Sequence, residues 1–164
     1  MKLNIGCGSL LIEDFCNLDM KQKEGVDIVA DVRYLPFKDN SVDIIAAYHV
    51  FEHIPRQRAL TTLQEWYRVL KKDGKLDIEC PDFIKNCKTA VKLFPTDNVS
   101  GYLNAVAFIY GGDTEVEEDG HRWGYDAGTL RSMLLAVDFK NVEKLKPITY
   151  HSEQAECFRI LGTK

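Results

Sequence analysis

The sequence predicts an α/β domain built on one mostly parallel, seven-stranded sheet with helices on both faces. Two observations carry this reading. Short apolar segments alternate with longer amphipathic ones along the 164 residues, as strands joined by crossover helices do. The fourth apolar segment, "VDIIAAY" (42–48), is almost continuously hydrophobic, which suits a strand buried on both faces. No repeat, low-complexity tract or linker interrupts the chain, and its length fits one core. A single domain over residues 1–164 is therefore expected.

In order, the strands are "KLNI" (2–5), "FCNL" (15–18), "VDIVA" (26–30), "VDIIAAY", "KLDIEC" (75–80), "VEKLKPI" (142–148) and "ECFRILG" (156–162). Between the fourth and fifth, "RQRALTTLQEWYRVL" (56–70) sets Leu60, Leu63, Trp66, Tyr67 and Leu70 at helical spacing. The "KKDGK" that follows supplies basic residues for the last turn and Gly74 as terminator. "AGTLRSMLLAVD" (127–138) is a late helix. Residues 82–125 are less periodic and read as helices plus a loop, inserted on the substrate side of the domain.

Composition removes some functions. With 45% hydrophobic and 28% charged residues and a net charge of −4 spread along the chain, there is no electrostatic footprint for a nucleic-acid backbone or an anionic membrane. No apolar run approaches the length of a membrane span, and "MKLNIGCG" lacks the apolar core of a signal peptide. Cys7, Cys16, Cys80, Cys87 and Cys157 are odd in number with no C-x-x-C pair, which fits free thiols in a reducing compartment. The expectation is a cytoplasmic protein acting on a small molecule.

Ligands of such sheets bind beyond the carboxyl ends of the strands. After the first strand comes "GCGS", where Gly6 and Gly8 let the backbone turn sharply and approach a ligand. Leu11 stands where a dinucleotide fingerprint needs its third glycine, so a nicotinamide cofactor is disfavoured. A tight structural turn explains the two glycines equally well. The second strand runs into "NLDM", with Asp19 placed to accept hydrogen bonds from both ribose hydroxyls. The third ends in "ADV", with Asp31 placed for an adenine amine. Each aspartate alone reads as a strand-end cap, whereas three such features at consecutive strand ends point to a nucleoside site.

Four segments, "LNIGCGS", "NLDM", "DVRYLPFKDNSVDIIAAYHVFEHI" and "EWYRVLKKDGKLDIECPD", resemble in order and spacing the class I S-adenosylmethionine-dependent methyltransferases, particularly their small type 11 branch. The resemblance implies a Rossmann-like fold, S-adenosyl-L-methionine as cofactor and methyl transfer to an unidentified acceptor. It implies cofactor contacts at Asn4, Gly6, Cys7, Gly8, Asp19, Met20, Asp31, Val32 and Tyr48. Two departures stand out. Only "SLLIED" separates Gly8 from the second strand, too little for a full crossover helix, so the first helix is expected to be shortened or absent. The chain also starts at the first strand, where many relatives carry helices that close over the cofactor. The pocket is then expected to be open on one side, or covered by residues 82–125 or by a partner subunit in a homodimer. A non-catalytic cofactor-binding module of the same fold is the alternative function.

"HVFEH" (49–53) matches the H-x-x-E-H signature of one group of zinc peptidases. That site needs both histidines on a continuous helix and a third ligand farther on. Here a strand runs up to His49, and Pro55 disfavours helix just before it, so no metal is expected and a zinc peptidase is a distant alternative. In the resembled family this stretch faces the methyl group. His49 and Glu52 are the candidate catalytic residues, with His53 on the acceptor side. "HRWGYD" adds His121, Arg122, Trp123 and Tyr125 to that side, because it closes a long acidic loop of the kind that forms lids and carries residue types common in recognition surfaces.

Overall fold

The structure is a computed structural model that describes residues 1–94, 97–111, 120–149, 151 and 156–164. Its strands are β1 (Lys2–Ile5), β2 (Cys16–Asp19), β3 (Ile28–Val29), β4 (Val42–Tyr48), β5 (Leu70–Pro81), β6 (Lys140–Leu145) and β7 (Cys157–Thr163). The helices are α1 (Arg56–Val69), α2 (Phe83–Leu93), α3 (Val99–Tyr110) and α4 (Ala127–Ala136). One sheet holds all seven strands in the order β3-β2-β1-β4-β5-β7-β6. The pairs from β3 to β5 are parallel, and β7 runs antiparallel to both β5 and β6. The chain winds outward from β1 to β3 and then returns to β4, so the strand order reverses between β1 and β4. A crevice opens beyond the strand ends at such a point.

Strand alternation gives the sheet two different faces. Leu3, Ile5, Leu18, Ile45, Leu76, Ile78, Phe158 and Ile160 share one face and are fully buried with Leu63, Trp66 and Val69 of α1 and Leu130 and Leu134 of α4. The register brings Asn17, Asn4, Ala46, Asp77 and Leu161 into one row on the other face, with Glu79 one row along. Asn4, Asn17, Asp77 and Glu79 are buried too, and buried polar groups need partners. Asn4 Nδ2 donates to Leu10 O at 2.6 Å and to Asn17 Oδ1 at 2.8 Å. Asp77 is paired with Arg159 through two hydrogen bonds and accepts a third from Tyr48 Oη. Glu79 accepts from the backbone N–H of Ile148 and Thr149.

The connections differ from expectation in two places. None of the three connections between β1 and β4 contains a helix, which extends to all three the shortening expected of the first. The third is instead pinned to α1: Trp66 Nε1 donates to Val32 O, Arg68 donates to the Leu35 and Phe37 carbonyls, and Glu65 accepts from Leu35 N–H. Secondly, Gly74 does not terminate α1. The helix ends at Val69 and Leu70 already pairs with Val42 as the first residue of β5. The left-handed turn falls at Asp73, with φ of 63°. Gly74 serves a close approach, since a Cβ there would lie 2.8 Å from Lys71 O. Within residues 82–125, α2 and α3 pack against each other; residues 112–119 of the acidic loop lie outside the described residues.

Candidate active site

A cleft of about 780 Å³ lies beyond the ends of β1, β2 and β4. Gly6 and Gly8 line it, both with positive φ, 62° and 52°. Their roles differ. A Cβ on Gly6 would lie 2.6 Å from Val50 Cγ2, so this glycine lets the loop sit flat on the exit of β4. A Cβ on Gly8 would meet no protein atom within 4 Å, which leaves an open approach to the backbone. Gly8 N–H donates to Asp19 Oδ2 at 2.8 Å, and Lys21 N–H donates to Asp19 Oδ1 at 2.9 Å. The Asp19 carboxylate is thereby fixed at the cleft wall, and each oxygen keeps a lone pair for a ligand hydroxyl. Met20 lines the cleft beside it and is 54% exposed.

Asp31 and Val32 also line the cleft, but Asp31 is not a free acceptor. Arg33 donates to it from Nε and Nη2 and from its own N–H. These bonds hold the Asp31 carboxyl below its ordinary range, against a smaller upward push from burial. An adenine amine would have to displace part of this clamp. Asn4, Cys7 and Tyr48 do not line the cleft. The Asn4 side chain is spent under the glycine loop, the Cys7 side chain is buried, and Tyr48 turns to Asp77 on the polar face of the sheet.

Across the cleft, His49 leaves β4 with φ of 56°. Its Nδ1 is 3.3 Å from Glu52 Oε1, and its Nε2 is 3.1 Å from Thr149 Oγ1 and 3.6 Å from Glu79 Oε1. Thr149 Oγ1 donates to Glu79 Oε1 in turn. Burial alone would lower the His49 pKa. The Cys157, Glu52 and Glu79 groups around it outweigh burial and push the imidazole up to about 11. Burial likewise opposes ionisation of Glu52, but His49, with smaller help from His53 and His121, holds the carboxyl below its ordinary range.

The H-x-x-E-H stretch does not form a peptidase helix: Phe51–His53 is one 3-10 turn and His49 points away to Glu79 and Thr149. His53 lines the cleft and stands edge-on to His121, with ring centroids 4.9 Å apart. Residues 121–123 are tied to this turn, since Arg122 and Trp123 N–H both donate to Glu52 O at 2.8 and 3.1 Å. Arg122 and Trp123 reach the cleft, where the Arg56 guanidinium lies 5.0 Å from the Trp123 ring centroid. Tyr125 does not reach it. It is 2% exposed and packs on Phe51 with centroids 4.8 Å apart, so it supports the core rather than shielding the cleft.

The family described as "Methyltransferase domain" matches residues 11–78, from the loop under Asn4 into β5. A methyltransferase structure from Thermotoga maritima superposes on 99% of this chain and 81% of its own, with TM-score 0.67 and 17% identity. The chain has the fold of the class I S-adenosylmethionine-dependent methyltransferases. A second structure of this methyltransferase fold, 1,6-didemethyltoxoflavin-N1-methyltransferase of Burkholderia thailandensis, contains S-adenosylhomocysteine and 1,6-didemethyltoxoflavin. It is 12% identical, with TM-score 0.61 and coverage of 99% of this chain and 70% of that one. An uncharacterised protein of Methanocaldococcus jannaschii is 41% identical over 49 residues, 30% of this chain and 20% of that protein's length.

Several residues around this site had not been singled out from sequence: Arg33, Arg56, Glu79, Thr149 and His151, whose ring centroid is 4.4 Å from that of His49. For Glu79 a signal exists. The alternation Asp77, Glu79 in "KLDIEC" puts two carboxylates on one face of a central strand, and buried carboxylates need partners. Thr149 and His151 follow β6 in sequence and carry no local signal at all.

Proposed function

We propose that this chain binds S-adenosylmethionine in the cleft and transfers its methyl group to a small-molecule acceptor. The observation that carries the reading is the pairing of Gly8, open on its cleft side, with an Asp19 carboxylate fixed by two backbone N–H groups. That pairing sits where the strand order reverses. Asp19 would hold the ribose hydroxyls, and Gly6, Gly8, Met20 and Val32 would wall the nucleoside. The adenosyl ligand in the Burkholderia relative supports the same assignment.

When bound, S-adenosylmethionine supplies a methyl group already activated by the positive sulfur. The residues of the chain then need to align an acceptor and exclude water. His53, Arg56, Arg122 and Trp123 form the opposite wall, with Arg122 and Trp123 contributed by the 82–125 segment. The two arginines favour an acceptor with an anionic group. The carboxylates around His49 favour its charged form, which suits an acceptor atom that is nucleophilic without help at neutral pH, as a carboxylate, a ring nitrogen or an acidic thiol is. Among the described residues no helix is long and apolar enough to cross a membrane, and the free cysteines support a cytoplasmic setting.

The test is to incubate the protein with methyl-labelled S-adenosylmethionine and fractionated cellular small molecules. Label should move to one fraction, with release of S-adenosylhomocysteine. Binding of the adenosyl ligand without transfer to any fraction would leave the chain a binding module. Tighter binding of NADH than of S-adenosylmethionine would overturn the cofactor.

A further inference from the structure

Below the cleft wall, Glu52, His53 and His121 converge. One ligand atom from each lies within 4.8 Å of the others. Glu52 is 2% exposed, yet neither of its carboxylate oxygens accepts a hydrogen bond among the described residues. His49 Nδ1 lies 3.3 Å from its Oε1. A buried carboxylate without hydrogen bonds costs several kcal/mol unless a cation compensates it. His49 is a partial remedy only. It is shared between Glu52 and Glu79, so two buried carboxylates face one imidazole.

We propose that Glu52, His53 and His121 bind a divalent first-row transition metal, Zn²⁺ by the nature of the donors, with a vacant position toward the cleft. Two imidazoles and one carboxylate suit a borderline-soft cation and leave room for a fourth ligand. His53 is the member that lines the cleft, so the vacancy faces the acceptor wall. Metal–ligand bonds of about 2.0–2.2 Å place tetrahedral ligands roughly 3.3 Å apart. Side-chain rotation of up to about 1.5 Å would close the set. His121 sits on a chain turn held by its own N–H to Tyr110 O and by Arg122 and Trp123 N–H to Glu52 O, so its backbone is already in place.

The motif was expected to hold no metal because its two histidines share no helix. The set proposed here drops His49 and takes His121 from the far side of the inserted segment. Metal binding of this kind does not depend on the methyl-transfer reading. Its consequence for that reading would be a Lewis-acidic position at which an acceptor oxygen or nitrogen could be held.

The probe is the metal alone. Chelator-stripped protein is titrated with Co²⁺, followed by visible absorption, and then with Zn²⁺ as competitor. One Co²⁺ per chain should bind with the absorption of a low-coordinate site, and Zn²⁺ should displace it. His53→Ala and His121→Ala should each weaken binding by more than about a hundredfold, since even outer-sphere partners are worth 10–100-fold. Both positions are partly exposed, so the variants should fold as judged by circular dichroism. His151→Ala, beside His49 but outside the set, should bind as wild type. Failure to bind one equivalent, binding that survives His121→Ala, or equal loss in His151→Ala would overturn the proposal.

Discussion

The two walls of the cleft are built in opposite ways. On the nucleoside side, Gly8, Asp19 and Lys21 are joined by backbone N–H bonds to one carboxylate at the ends of adjacent strands. Behind the histidine side, His49, Glu52, Glu79, Thr149 and His121 come from distant parts of the chain and meet through buried polar groups. The first wall depends on backbone conformation around one carboxylate, so losing that carboxylate should cost binding rather than the fold. The second is a network in which each charge is held by the others, and such networks fail together when one partner is removed.

The largest effect is therefore expected from Glu79→Ala. It leaves the Ile148 and Thr149 N–H groups without their acceptor and His49 with one carboxylate fewer. A loss of about 3–5 kcal/mol is expected for breaking a buried charge network, read as a shift in the urea unfolding midpoint. A loss below about 1 kcal/mol would mean that the second wall is no more cooperative than the first.

Next come the two glycines, which separate packing from ligand access. Gly6→Ala should cost more than the ~1–2 kcal/mol of left-handed strain, because Val50 blocks the added methyl. Gly8→Ala should cost only that strain while weakening adenosyl-ligand binding, since its methyl would stand in open cleft. Equal destabilisation with unchanged ligand affinity for Gly8→Ala would return the loop to a purely structural turn.

The smallest effect belongs to Arg33→Ala. A partly exposed pair is worth about 1 kcal/mol or less, so stability should barely change in thermal unfolding. Adenosyl-ligand affinity should hold or rise by a few-fold as Asp31 is released from its clamp. A tenfold fall would instead make Arg33 a direct ligand contact.

The same contrast explains what could be read from sequence. The extents of β1 and β4, the glycine turn and the position of Asp19 were all legible, because periodicity and strand-end chemistry are local. The end of α1 was misread at Gly74, since "KKDGK" carries a stop signal whatever follows, and only pairing of Leu70 with Val42 shows that β5 has begun. Asp31 lines the cleft as expected of its strand end, and the Arg33 clamp on its carboxylate is a feature that strand-end chemistry does not announce. Tyr125 has the chemistry of a recognition residue, and only the packing against Phe51 puts it in the core. The Glu79 and Thr149 partners of His49 were out of reach, because charge pairing across the fold leaves no periodic trace.

The most direct measurement is calorimetric titration of S-adenosylhomocysteine into wild-type protein and Asp19→Ala. Hydrogen bonds to a charged group contribute about 1.5–3 kcal/mol each. One ligand per chain should therefore bind to the wild type, and at least about tenfold more weakly to a variant with an unchanged circular dichroism spectrum. An unchanged dissociation constant in the folded variant would remove Asp19 from the site, and with it the assignment of the cleft to an adenosyl cofactor.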